Sequence, residues 1–184
     1  ERQLVTVLFA DIRGFTKLAE KMEPEDVVIF LNTYFNIVSD IIFKYEGTLD
    51  KYMGDNVMAV FGAPIKTNND EERAVRAALE IQSEIGRFNK SNGGKYISVG
   101  IGINTGEAIV GNIGSEKRMD YTVIGDTVNV ANRIQSAARE GEILISTITY
   151  EQVQDTIVCH DLPLIIVKGR QEPIHVFKVV GLKT

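Results

Sequence analysis

Tryptophan is absent from the 184 residues, and cysteine occurs once, at Cys159. One thiol cannot form an internal disulfide, which removes the stapled secreted domains and points to a reducing compartment. Histidine occurs only at His160 and His175, too few and too late for a histidine-rich metal site. Proline is scarce, and no Pro/Gly/Ser-rich stretch or internal repeat marks a linker. No apolar run approaches the ~20 residues of a membrane span, and the opening residues lack a signal-peptide pattern. Positive charge is in deficit: 20 Lys and Arg stand against 25 Asp and Glu, a net charge of −5. That balance argues against a protein whose main task is gripping a nucleic-acid backbone. What is present is ordinary globular material, 44% hydrophobic and 24% charged. At this length it suffices for one domain with its own core.

Strand-like and helix-like stretches alternate throughout, which predicts a mixed α/β domain. Leu4 to Ala10 is short, apolar and β-branched, the pattern of a strand covered on both faces. Pro24 opens a long helix, with Glu25 and Asp26 in its first turn. Its apolar stripe, Val27, Leu31, Tyr34, Val38, Ile41 and Tyr45, is widened by Val28, Ile29, Phe30, Phe35, Ile37 and Ile42. So broad a stripe needs more cover than one sheet, from a deep core or a second subunit. A hairpin is expected at Thr48–Tyr52 and Val57–Phe61, turning at Gly54-Asp55. A charged helix follows over about Asp70 to Asn89, then a polar turn over Ser91–Lys95. Tyr96–Asn104 reads as a strand and Glu107–Ile113 as its return after a Thr105-Gly106 turn. A polar loop, Ser115–Asp120, precedes a short strand at Tyr121–Ile124. Asp126 reads as the N-cap of a helix to about Arg139, with Val128, Ala131, Ile134 and Ala138 inside. The tail reads as strand, short helix and two further strands, with turns at Gly141-Glu142 and Gly169–Glu172.

Two aspartates stand where chemistry is commonly placed. Asp11 ends the first strand, and Gly14 follows in a turn whose N–H groups can approach an anion. Asp55 sits in the hairpin turn, where Asp is ordinarily only a turn former. If the first strand lies beside the hairpin, the two carboxylates converge at one sheet edge. Paired aspartates are hard oxygen ligands, suited to Mg²⁺ or Mn²⁺ bound together with substrate phosphates. Such a pair can hold two ions for phosphoryl or nucleotidyl transfer. Asn129 and Arg133, four apart on a helix, share a face. An amide and a guanidinium aimed together suit a sugar oxygen and a phosphate, although taken alone a solvated helix face is the better account of them. Lys51 lies beside Asp50 in a strand, where neighbours point to opposite faces. Thr122, Lys168 and Arg170 are ambiguous alone, and the Gly100–Gly102 pair lies inside a strand rather than opening a helix.

Read in order, VTVLFADIRGFT (Val5–Thr16), GTLDKYMGDNVMAVFG (Gly47–Gly62), VGIGINTGEAIVGNIG (Val99–Gly114) and YTVIGDTVNVANRIQ (Tyr121–Gln135) resemble the class III nucleotide cyclase catalytic domain. The pattern is most like the bacterial, cyanobacterial-type, threonine-containing adenylyl cyclases. The resemblance runs from Val5 to about Val180. It implies an α+β fold with a ferredoxin-like βαββαβ core and additional C-terminal elements. Residues 1–184 would then be a single catalytic domain, a fragment of a longer multidomain protein. It also implies a head-to-tail homodimer with shared active sites, converting ATP to cyclic AMP and pyrophosphate with two ions per site.

By the same resemblance, Asp11 and Asp55 are the metal ligands, joined by the Ile12 carbonyl. The backbone of Gly14, Phe15 and Thr16 holds phosphates, and Lys168 binds the triphosphate. Lys51 and Thr122 read the purine, Asn129 positions the ribose and Arg133 stabilises the transition state. One chain would give the aspartates and the other Lys51, Thr122, Asn129 and Arg133, which would account for the broad stripe after Pro24. Lys51 favours ATP, because guanylyl cyclases typically carry an acidic residue there. Threonine at 122 departs from the aspartate of mammalian-type adenylyl cyclases and belongs to a subclass with bicarbonate-responsive members. The alternatives are a guanylyl cyclase and a catalytically silent cyclase-like regulatory domain. ATP as substrate implies a cytoplasmic site, with membrane tethering by other segments compatible.

Overall fold

The structure, a computed structural model, describes residues 1–91, 96–164 and 172–184. Its centre is β1 (Arg2–Ile12), which pairs antiparallel with β3 (Asn56–Phe61) on one side and β4 (Val99–Ser115) on the other. Alternation along β1 feeds two cores. Leu8, Ala10 and Ile12 pack with Phe30, Tyr34, Val38 and Ile81, whereas Val5, Val7 and Phe9 pack with Met58, Val60 and Ala131. A strand buried on both faces has few polar positions to spare, hence a run that is apolar except at Thr6.

Between β1 and β3 come α1 (Phe15–Glu20), α2 (Pro24–Lys44) and β2 (Thr48–Met53), and α3 (Asp70–Ser91) leads into β4. With β6 (Ile143–Ser146), β7 (Ile157–Asp161) and β8 (Val176–Leu182), the sheet runs β2-β3-β1-β4-β6-β8-β7, and β5 (Arg118–Ile124) pairs with β4 outside that path. The β2-β3-β1-β4 order, with α2 and α3 as crossovers, is the ferredoxin-like βαββαβ core. The additional C-terminal elements are α4 (Asp126–Ala137), β6 (Ile143–Ser146), α5 (Thr147–Val153), β7 (Ile157–Asp161) and β8 (Val176–Leu182).

Three expectations about turns, loops and caps need correction. No turn breaks the chain at Thr105-Gly106; β4 continues through it, since Thr105 pairs with Thr6 and Gly106 with Val5. The Thr6 and Thr105 hydroxyls bond at 3.0 Å inside the sheet, so a polar pair that resembles a turn is a buried rung. The 115–120 loop is shorter than expected, because Arg118 already pairs with Ser115 in a tight β4–β5 hairpin. Gly125, not Asp126, is the N-cap of α4; Asp126 is the first helical residue, where its charge complements the dipole. The expected turns at 92–95 and about 169–171 lie outside the described residues.

Helix α2 buries Phe30, Tyr34, Val38, Ile41 and Ile42 against the sheet and α3. Val28, Ile29 and Phe43 remain more than half exposed, so the broad stripe is only partly used within one chain. By length and composition α2 alone among the described residues could cross a membrane, contrary to the expectation that no segment reaches that threshold. In the fold it packs on α3 and on the β2–β3 hairpin.

Candidate active site

The β1–β3 register, with Ala10 opposite Val57, carries Asp11 alongside the turn that holds Asp55. The two carboxyls therefore meet, as the pairing of strand and hairpin requires. Asp11 Oδ1 is buried and has no hydrogen-bond partner. Burial first, and then the facing Asp55 carboxyl, push the Asp11 carboxyl up to about 7. The Arg13 guanidinium, 3.7 Å from Asp11 Oδ2, and the Ile12 backbone N–H act in the opposite direction. An orphaned carboxylate oxygen beside a second carboxylate is a fit for a hard divalent cation. Among the described residues no group of three or more His, Cys, Asp and Glu side chains gathers, so further ligands would be backbone or substrate oxygens.

Two neighbours of this pair escaped the sequence reading. Arg13 donates to the carbonyls of Ala138, at 2.9 Å, and Gln135, so its guanidinium ties the loop after Asp11 to the last turn of α4. Gly100 makes room for it, since a Cβ there would lie 2.1 Å from the guanidinium. Arg13 stood inside a quoted motif, but nothing in its sequence context signalled a helix terminus 125 residues away. Tyr34 looked like one more core position. Its hydroxyl is fully buried without a partner, and burial, followed by the charges of Asp11 and Asp55, holds its ionisation well above the usual tyrosine value.

Lys51 and Thr122 line one cavity of about 430 Å³, together with Asp50, Ile113, Asp120 and Tyr121. Lys51 comes from β2 and Thr122 from β5, on strands that do not pair with each other. The expectation that Asp50 and Lys51 point apart is overturned. The β2–β3 register shifts between Leu49 and Lys51, a bulge that breaks the alternation. Asp50 Oδ2 consequently lies 3.6 Å from Lys51 Nζ.

Asn129 is exposed and Arg133 half-buried on α4, while Val130, Ala131 and Ile134 face the core. A Cβ at Gly102 would lie 2.2 Å from the Gln135 backbone nitrogen, so the β4 glycine lets α4 settle directly on the sheet. On the same helix Asn132 accepts a 3.1 Å hydrogen bond from Asn56, the residue after Asp55. Gly14, at φ 70°, is the N-cap of α1. Phe15 stacks on Phe30 in the core, which leaves only its backbone for a ligand, and Thr16 is exposed. Lys168 lies outside the described residues. The cavity lining includes neither Asp11 and Asp55 nor Asn129 and Arg133.

Residues 1–180 match the family described as the adenylate and guanylate cyclase catalytic domain. Adenylate cyclase 1 of Rhizobium meliloti is 34% identical over 98% of this chain, which spans 28% of that protein's length. The solved adenylyl cyclase CyaB from P. aeruginosa is 42% identical, with a TM-score of 0.92 over 98% of this chain and 95% of that one. The solved guanylyl cyclase Cya2 is 40% identical, with a TM-score of 0.94 over 100% of this chain and 94% of that one.

Proposed function

Because the chain belongs to the adenylate and guanylate cyclase catalytic-domain family, we propose that it converts ATP to 3′,5′-cyclic AMP and pyrophosphate, at sites shared between two copies. The observation that carries this reading is the cavity lined by both Lys51 and Thr122. Adenine presents an acceptor at N1 and a donor at N6; the Lys51 ammonium donates to the first and the Thr122 hydroxyl accepts from the second. Guanine presents N1–H to the ammonium instead, two donors face to face.

Asp11 and Asp55, with the Ile12 carbonyl, would hold two Mg²⁺ or Mn²⁺ ions. When bound, such ions make the ribose 3′-hydroxyl more acidic and neutralise charge on the phosphates. Asn129 orients the ribose so that the 3′-oxygen faces the α-phosphorus. Arg133 meets the charge that develops on the phosphoryl oxygens, a contribution commonly of ~10²–10³ in rate. The backbone of Gly14, Phe15 and Thr16, and Lys168, take the remaining phosphates. No side chain is assigned as general base.

A homodimer is supported by two features. The purine cavity is separate from the carboxylate pair within one chain, and the outer face of α2 leaves Val28, Ile29 and Phe43 uncovered. ATP as substrate and the lone thiol support a cytoplasmic site for this domain. By analogy with the threonine-containing subclass, bicarbonate would stimulate the activity, which is tested by adding the salt at fixed pH. GTP cyclisation is the second reading, favoured by the likeness to a solved guanylyl cyclase and opposed by Lys51.

The test incubates the purified protein above micromolar concentration with ATP or GTP and Mn²⁺, and separates the products chromatographically. Cyclic AMP from ATP, lost in Asp11→Ala, is the expected result. Cyclic GMP as main product would keep the chemistry and overturn the purine assignment. No cyclic product from either nucleotide would leave a silent regulatory domain.

A further inference from the structure

We propose that Asp50 is a positioning residue of the purine pocket: its buried carboxylate holds the Lys51 ammonium at the cavity and thereby sets the preference for ATP over GTP. The inference rests on the cyclase reading and deepens it.

Asp50 has the properties of a retained charge rather than of a turn former. Its side chain is 4% exposed, yet it lines the cavity shared by Lys51 and Thr122. Its Oδ2 has no hydrogen-bond partner. A buried carboxylate oxygen outside hydrogen-bond distance of any donor is costly, and such charges normally occur paired. Here the pair is Lys51, with Nζ at 3.6 Å, an ion-pair separation just beyond hydrogen-bond reach. The pair sits at the register shift between Leu49 and Lys51, where the regular alternation of side chains is interrupted. Burial holds the Asp50 carboxyl above its ordinary range, and Lys51 draws it back. The other ionisable groups at the cavity are Asp120, whose carboxylate lies 3.7 Å from Arg118, and the Tyr121 phenol.

The physical role follows from the lysine. Its side chain is 44% exposed and ends a flexible four-carbon stem. Without a tether the ammonium spends its time in water. Held by Asp50, it keeps donors aimed at the purine, where adenine N1 accepts and guanine N1–H is repelled.

Asp50→Asn keeps the shape and removes the charge. We expect the KM for ATP to rise about tenfold, as loss of a hydrogen-bonded or charge-paired contact commonly gives. The ATP:GTP ratio of kcat/KM should fall by a similar factor, with kcat moved less than KM. The double-mutant cycle with Lys51→Met separates positioning from structure, because Asp50→Asn should change selectivity no further once the ammonium is gone. Equilibrium binding of non-cyclisable ATP and GTP analogues supplies a readout independent of turnover. An active wild type whose Asp50→Asn variant keeps its KM and nucleotide ratio overturns the inference alone. So does equal loss toward both nucleotides together with a lowered Tm, which marks a structural role. A wild type that neither binds the analogues nor forms cyclic product overturns the cyclase reading, and this inference with it.

Discussion

A carboxyl half shielded from water and facing a second carboxyl holds its proton to about pH 7, which is the state of Asp11 without a cation. Unfolded, the same group titrates near 3.8. Between those values the native state binds the extra proton, so this group's contribution to stability falls as pH rises from about 4 to about 7. Under the cyclase reading, a divalent cation would take the place of that proton and reverse the effect. The metal-free wild type should therefore lose more thermal stability over this window than Asp11→Asn does. Mn²⁺ should raise the wild-type Tm more at pH 8 than at pH 6, and should leave Asp11→Asn nearly unmoved at both. Scanning fluorimetry at fixed ionic strength checks this, and an equal Mn²⁺ shift in wild type and variant would place the cation elsewhere.

The elements position these residues through contacts that leave almost no slack. Gly102 is one: α4 lies on β4 so closely that a Cβ would meet the Gln135 backbone nitrogen at 2.2 Å. Backbone cannot rotate aside as a side chain can. Gly102→Ala should cost about 1–3 kcal/mol in stability, and should reduce turnover more than that loss of folded protein explains, because α4 carries Asn129 and Arg133. Denaturant titration alongside kcat measures both. This close approach also shows where the sequence was legible. The two-faced burial of β1, the α2 helix and the β2–β3 hairpin follow from hydrophobic period and turn chemistry, and pairing of β1 with that hairpin brings Asp11 and Asp55 together. Local signals failed where a long-range partner decided the outcome. Thr105-Gly106 carries turn-forming residues, but β1 continues opposite and keeps the strand going. Asp50 alternates with Lys51 in a regular strand, but the register shift against β3 interrupts that alternation where the two charges lie 3.6 Å apart. Arg13 has no local signature, because its partners are carbonyls at the far end of α4.

At the scale of the whole molecule, one chain holds three partial assemblies: the Asp11–Asp55 carboxylate pair, the cavity lined by Lys51 and Thr122, and the Asn129–Arg133 face of α4. Under the shared-site reading, a chain lacking Asp11 still offers its purine cavity and Arg133, and a chain lacking Arg133 still offers its aspartates. Asp11→Ala and Arg133→Ala, each inactive alone, should then regain activity when mixed. At equal amounts and random pairing, half of the dimers are mixed and each has one intact site of two, so recovery should approach about a quarter of wild type. Dilution supplies the second arm. Specific activity should fall as the dimer dissociates, with sedimentation or mass photometry recording the monomer fraction on the same samples. Mixed dimers that form but stay as inactive as their parents would show that each chain completes its own site. Full specific activity in a demonstrated monomer population would show the same, and Val28, Ile29 and Phe43 would then need another explanation.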